Sequence, residues 1–286
     1  PQPKDLPNLN APIFHYIRTL RIAYEVVKRE DPTAYVTPGG LGYASFLDAL
    51  LRYTDNPDQG KVSDAFPLKG GAYFDALSFH SYPQYGARYW NGQQWVPDRH
   101  SDRAVQAFIA AKPKFEAVLA KHGYDGSRYP KKVMLVTELN VARKQIGETL
   151  GGNELQRNFT IKALVKAQQV GIRQVYWFVT GESKNLDDPS ASPFDLMGFY
   201  ENLRRDGPGQ QRITDQGIAH RTTFQQLYGW SYDASATAAL KLSTDVDGAA
   251  FRRGNQVRYV LWAKTKVDRS ESASATISLP GTYTLV

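Results

Sequence analysis

From the start of the chain to about residue 230, stretches with apolar residues at helical spacing alternate with short apolar runs of strand length. Ile13, Ile17, Leu20, Tyr24 and Val27 fall on one face of a helix that Asn10 can cap and that Asp31-Pro32 ends. Ala34–Thr37 predicts a short strand running into Pro38-Gly39-Gly40, and a helix is expected over roughly Tyr43–Tyr53. Tyr73–His80 predicts the next strand, ending in Ser81-Tyr82-Pro83 and followed by a long loop with Tyr85, Tyr89, Trp90 and Trp95. A helix begins near Ser101 and reaches Gly123, with Pro113 expected to kink it. Lys132–Thr137 reads as a continuous apolar run, as expected of a strand buried on both faces, and it ends at Glu138. Asn153–Val170 predicts a helix closed by Gly171. Gln174–Val179 then predicts a strand, and Gln216–Tyr228 the last helix of this series.

Four strand–helix units preceded by one unpaired helix predict an α/β fold with a parallel sheet. Past Ser235 the character changes. Val257–Ala263 and Ala275–Leu279 read as antiparallel strands joined by turns. The expected organisation is therefore an α/β domain over 1-232 and a small β domain over 233-286, too short to be a complete sandwich and with its last strand running off the chain.

Composition narrows the function classes. The 286 residues include no Cys, which excludes disulfides, thiolate metal sites and a Cys nucleophile. No apolar run is long enough to span a membrane. The 35 Lys and Arg outnumber the 28 Asp and Glu, a net charge of +7, but they are scattered, so no nucleic-acid interface is expected. Solvated surface accounts for this charge, and an acidic polysaccharide would also suit it. Five Trp and 17 Tyr supply flat faces suited to sugars, although they fill ordinary cores equally well. No Gly-rich phosphate loop and no His/Asp cluster with metal spacing is present, so no cofactor or metal is expected.

In a closed parallel barrel the C-terminal ends of the strands meet at the active site. The polar residues at the strand ends here are Thr37, His80, Tyr82, Glu138 and Thr180. A carboxylate after a buried strand sits at the mouth, partly desolvated, and needs neighbouring donors to stay ionised. Glu138 is thus the candidate nucleophile, with His80 or Tyr82 as the group that orients it. The competing readings are a salt-bridged rim carboxylate for Glu138 and a satisfied core or rim histidine for His80. Tyr85, Tyr89, Trp90 and Trp95 either stack on pyranose rings or clamp their loop to the scaffold.

Three segments carry a family resemblance. Phe74–Pro83, with Asp75, His80 and Tyr82, resembles the sixth strand of clan A glycoside hydrolases, and Val136-Thr137-Glu138 resembles the seventh. Tyr176-Trp177-Phe178 resembles the eighth. The nearest family is glycoside hydrolase family 39 and its relatives, and the resemblance runs from about Ala11 to the end of the chain. It implies a (β/α)8 TIM barrel, strands five to eight of which lie in this chain, followed by a small antiparallel β domain. It implies a retaining hydrolase of β-linked glycosides or polysaccharides, secreted or in the cell envelope. Glu138 would be its nucleophile, and His80, Tyr82, Trp177, Tyr85 and Trp90 would contact a carbohydrate substrate.

One departure matters. The family's acid/base Glu follows an Asn at the end of the fourth strand, and no such pair stands in the expected place. Asn153-Glu154 lies after the seventh strand and reads as the cap of the next helix, while Glu182 could approach the pocket from just past the eighth. Strands one to four, and the acid/base with them, are therefore expected on an N-terminal fragment or separate chain. The alternative is a non-catalytic carbohydrate-binding or structural protein on the same scaffold.

Overall fold

The computed structural model describes residues 11–85, 88–279 and 281–285, with the backbone alone at Tyr85. Asn10, the expected first cap, lies outside them. In chain order the elements begin with α1 (Ile13–Glu30), α2 (Ala44–Arg52), β1 (Ala76–Ser81), β2 (Arg88–Trp90) and β3 (Trp95–Pro97). Helices α3 (Ser101–Ile109) and α4 (Ala111–Lys121) precede β4 (Val133–Leu139), α5 (Asn153–Gln169) and β5 (Gln174–Trp177). There follow α6 (Leu203–Asp206), α7 (Asp215–Leu227), β6 (Ser231–Tyr232), α8 (Ala234–Ala239), β7 (Val246–Arg253) and β8 (Gln256–Ala263).

The chain divides into two compact units. The first gathers residues up to Ser81, Ala110–Glu138 and Ile172–Tyr176; the second gathers Tyr82–Ile109, Leu139–Gly171 and the chain from Trp177 onward. Each unit therefore draws on several separate stretches of sequence.

In the first unit, Ile13, Ile17 and Leu20 of α1 and Leu47, Leu50 and Leu51 of α2 are buried. Asp31 ends α1 by giving its N–H to Val27 and accepting from the N–H and hydroxyl of Thr33. A parallel sheet runs in the order β1-β4-β5. The bonds Arg173 N–H to Met134 O and Phe178 N–H to Leu139 O, each five residues on in both strands, fix the direction of β5 against β4.

Two expectations change here. Ala34–Thr37 does not form a strand. Val36 accepts from the N–H groups of Asp75 and Ala76, and Leu41 forms an isolated parallel bridge with Phe79. Between these points Pro38 has no N–H to offer, so the ladder is broken. The second change concerns β4, expected to be buried on both faces. Met134 and Val136 are buried, whereas Val133, Leu135 and Thr137 are half-buried and Leu139 beyond them is buried, so one face is packed and the other only partly.

The predicted kink at Pro113 is a break. Helix α3 ends at Ile109, whose carbonyl is the one Pro113 cannot serve, and α4 restarts at Ala111. Gly171 ends the α5 turn at φ +74, as expected of that position, while the residue flanking α5 at its start is Gly152. Asn153 and Glu154 stand within the first turn of α5, not at its cap.

The second unit packs α3 on α5 and α5 on α7. Its C-terminal sheet is antiparallel in the order β6-β7-β8, with Val246 opposite Ala263 and Arg253 opposite Gln256. Val165, Leu227, Trp230, Ala249 and Phe251 form a shared apolar cluster joining this sheet to α5 and α7. Strand β7 escaped prediction because its Gly248-Ala249-Ala250 centre lacks β-branched or aromatic residues. Conversely, Ala275–Leu279, expected as a strand, has no regular structure. The chain before it is held elsewhere: Glu271 accepts from the N–H and hydroxyl of Ser101 at the start of α3, at 2.7 and 2.5 Å.

A buried ion pair underlies this packing. Asp102 of α3 is 5% exposed and accepts from Lys162 Nζ at 2.8 Å, Trp262 Nε1 at 2.9 Å and Thr265 N–H at 2.9 Å. One carboxylate thus ties α3, α5, β8 and the segment after β8 together. Removing it leaves the Lys162 ammonium buried without its counter-charge, so Asp102→Ala is expected to cost about 3–5 kcal/mol in urea unfolding.

A half-buried cation gives a pH signature. Lys132 Nζ donates to the carbonyls of Gly71 and Phe74 and lies 4.5 and 4.7 Å from the ring centres of Phe74 and Tyr124. Burial lowers its pKa to about 8, and Asp75 opposes the shift. Below that value folding carries the full cost of a desolvated charge. Between about 8 and 10.5 the unfolded chain still holds the proton while the folded one has lost it, so stability rises with pH. Burial raises Tyr124 to about 12, and its contribution is lost as pH climbs from 10 through that value. Lys132→Met is expected to abolish the rise between pH 8 and 10, read by urea unfolding across that range.

Candidate functional site

Glu138 and His80 come together in the first unit. Glu138 is the penultimate residue of β4, the middle strand of the parallel sheet, and His80 is the penultimate residue of its neighbour β1. His80 Nδ1 lies 3.3 Å from Glu138 Oε2, with the two side chains 29% and 36% exposed. The pair is open to solvent, yet His80 follows four buried residues of β1, and Glu138 follows Met134 and Val136, which are buried. Thr37, the other polar residue expected at a strand end in this unit, gives its hydroxyl to Ser78 Oγ at 2.7 Å.

The remaining predicted residues lie in the second unit. Tyr82 packs edge-on against Phe194, with ring centres 4.9 Å apart, and against Phe178 at 6.0 Å. Trp177 is half-buried, edge-on to Phe159 and His220 and tilted against Phe199. Its indole N–H is buried, with no hydrogen-bond partner among the described residues. Burial lowers the pKa of His220, which stacks on Phe199.

The loop expected after Pro83 contains a hairpin. Strands β2 and β3 pair Arg88 with Pro97 and Trp90 with Trp95. Asn91 ties the turn by accepting from the N–H groups of Gln93 and Gln94. Trp90 and Trp95 are 54% and 56% exposed, 5.8 Å apart and inclined at 62°, and the Arg88 guanidinium covers Trp95. The side chain of Tyr85 lies outside the described residues.

Glu182 does not act as a free carboxylate. It is 3% exposed, and both its oxygens accept from Arg143, at 2.8 and 2.6 Å. Burial raises its pKa, opposed by the Arg143 bonds and charge. Arg143 also reaches Glu201 at 3.4 Å, and Glu201 binds Arg205 at 2.8 Å. Arg143, Glu201 and Arg205 line a surface cleft of about 560 Å³ with Lys144, Leu186 and Asp187. Among the described residues no group of three or more His, Cys, Asp or Glu could hold a metal, and no helix is long and apolar enough to cross a membrane.

Asn140, two residues beyond Glu138, was not singled out by its sequence. It is fully buried. Its amide nitrogen donates to the carbonyls of Phe178 and Met197 at 2.6 and 2.7 Å, and its oxygen accepts from Val141 N–H and Gln216 Nε2. It thereby joins the chain after β4 to that after β5, to the segment before α6 and to α7. A lone Asn after an apolar run carries no signal of this in one dimension, because its partners are 38, 57 and 76 residues away.

No protein-family model matches the chain, and no curated protein matches it. Solved structures do. A glucosidase from Croceicoccus marinus aligns at a TM-score of 0.50 with 14% identity, over 91% of this chain and 52% of its own. A glycoside hydrolase family 51 arabinofuranosidase from Xanthomonas axonopodis pv. citri aligns at 0.49, with 12% identity over 89% of this chain and 48% of its own. A family 17 β-1,3-glucanosyltransferase from Rhizomucor miehei aligns at 0.45, with 13% identity over 73% and 59%. At such identities the likeness is one of fold. The chain spans about half to three-fifths of the length of these structures.

The amide junction yields a stability prediction. Asn140→Ala removes a donor from the carbonyls of Phe178 and Met197 and takes from the Val141 N–H and the Gln216 amide the oxygen they donate to. It is expected to cost about 2–4 kcal/mol in denaturant unfolding.

Proposed function

We propose that this chain is the C-terminal half of a (β/α)8 barrel, over 1-232, with a small β domain over 233-286. In this reading it belongs to a retaining glycoside hydrolase acting on β-linked glycosides, secreted or in the cell envelope. The observation that carries the proposal is the position of Glu138. It is a partly exposed carboxylate at the C-terminal end of the middle strand of a parallel sheet, with the His80 imidazole 3.3 Å away. Active groups of parallel barrels gather at that end of the strands. The fold likeness to a glucosidase supports the same scaffold.

Glu138 would attack the anomeric carbon as the glycosidic C–O bond breaks, and the departing oxygen would take the bonding electron pair. Water would then attack the same carbon, the Glu138–sugar bond would break to restore the carboxylate, and the proton that water loses would pass through solvent to the departed oxygen or remain in solvent where that oxygen stays ionised. His80 would orient the attacking oxygen. Tyr82 and Trp177 would present aromatic surface to the sugar, and Tyr85 and Trp90 are proposed as further contacts. Glu182, engaged by Arg143, is left out of the reaction. No acid/base is assigned within this chain, and the reaction needs no cofactor.

A second reading draws on the exposed indoles of the β2–β3 hairpin, which suit sugar binding without hydrolysis. A 2,4-dinitrophenyl β-glycoside separates the two, because its leaving group departs without protonation and the measurement reports on the nucleophile alone. Release of dinitrophenolate is expected, with loss of at least about a thousandfold in Glu138→Gln. A 2-fluoro analogue of that substrate is expected to add one sugar mass to the Glu138 peptide. Full activity in Glu138→Gln removes the residue from the mechanism. Saturable glycan binding without turnover, lost in Trp90→Ala, decides for the binding protein.

A further inference from the structure

A methyl carbon built on Gly40 would lie 1.7 Å from Nε2 of His80, 2.1 Å from Cδ2 and 2.6 Å from Cε1. Gly40 is not among the glycines with positive φ, so space and not backbone conformation demands it. The imidazole therefore lies directly on the Gly40 α-carbon, while its Nδ1 faces Glu138 at 3.3 Å.

The segment beneath the ring is held from both sides. Leu41 gives its N–H to Ser78 O, and His80 gives its N–H to Leu41 O, each at 3.1 Å. Thr37 Oγ1 donates to Ser78 Oγ at 2.7 Å, and Ser78 Oγ donates to Pro38 O at 2.6 Å. Gly39 N–H donates to the Tyr16 hydroxyl at 3.1 Å. With the backbone pinned on either side of Gly40, an added side chain cannot be relieved by its own retreat. The imidazole is the end of a side chain with alternative rotamers, and it must yield.

We infer that Gly40 is the positioning residue for His80: its bare α-carbon is the surface that keeps the imidazole against Glu138. Any side chain at position 40 turns the ring away from the carboxylate. The fold is spared, because the group displaced is a partly exposed side chain. The consequence for turnover rests on Glu138 being the nucleophile; the placement of the ring does not.

The test compares His80 ring resonances in the full-length chain as wild type, Gly40→Ala, Glu138→Gln and the double variant. In the wild-type background, Glu138→Gln is expected to shift the His80 ring resonances. In the Gly40→Ala background the same change is expected to leave them in place, while the melting temperature stays within about 4 °C of wild type. An equal response in both backgrounds overturns the inference. On the dinitrophenyl glycoside, Gly40→Ala is expected to lose about a hundredfold in kcat/KM, the scale of a misplacement of about 1 Å. In a His80→Ala background it is expected to lose nothing further, and an undiminished loss there overturns the inference. If Gly40→Ala fails to fold, Gly40→Ala with His80→Ala must fold; failure of that double variant also overturns it. Full activity of Glu138→Gln would sink the nucleophile reading alone, with the ring resonances still deciding where His80 lies.

Discussion

The pairing of Leu41 with the end of β1 is the constraint on which the candidate site depends. Two backbone bonds, one on each side of Phe79, bring the Pro38-Gly39-Gly40 turn under His80. Pro38 prevents a regular ladder, so the segment touches β1 at separated points and leaves room between them for an imidazole. Gly40, which carries no side chain, is the residue of that segment that lies against the imidazole beside Glu138.

The second unit relies on a different device. Its helices and C-terminal sheet share an apolar cluster around Trp230 and Phe251, but buried polar groups specify which segments meet. Asp102 gathers a lysine, an indole and a backbone N–H. Asn140 gathers two carbonyls and the Gln216 amide. Each interior is one in which an unmet donor or acceptor is costly, so alternative packings that leave one unpaired are disfavoured. Arg143 and Glu182 follow the same logic. Desolvation disfavours the Glu182 charge, and the two-pronged contact with Arg143 opposes that effect.

Much of this was readable along the chain. The helical face of α1, the extent of α2, a disturbance at Pro113, the Gly171 stop and β8 all follow from local rules that act within a few residues. Glu138 at the end of an apolar run and His80 at the end of the preceding strand were visible for the same reason. What failed were assignments that needed a partner. Ala34–Thr37 and Ala275–Leu279 have the composition of strands, but a strand exists only when a neighbouring chain supplies its hydrogen bonds. In the first case Pro38 breaks the ladder; in the second Glu271 draws the chain toward Ser101.

By itself, then, the sequence determined the longer helices, the strands β1, β4, β5 and β8, and the candidate carboxylate and imidazole at two strand ends, because periodicity and turn chemistry are local. Tertiary structure alone decided that Glu182 is engaged by Arg143, that Asn140 and Asp102 are junctions, and that Gly40 lies beneath His80. Those are contacts between residues tens to more than a hundred positions apart. Their energies come from desolvation and close packing, which exist only once the chain has folded.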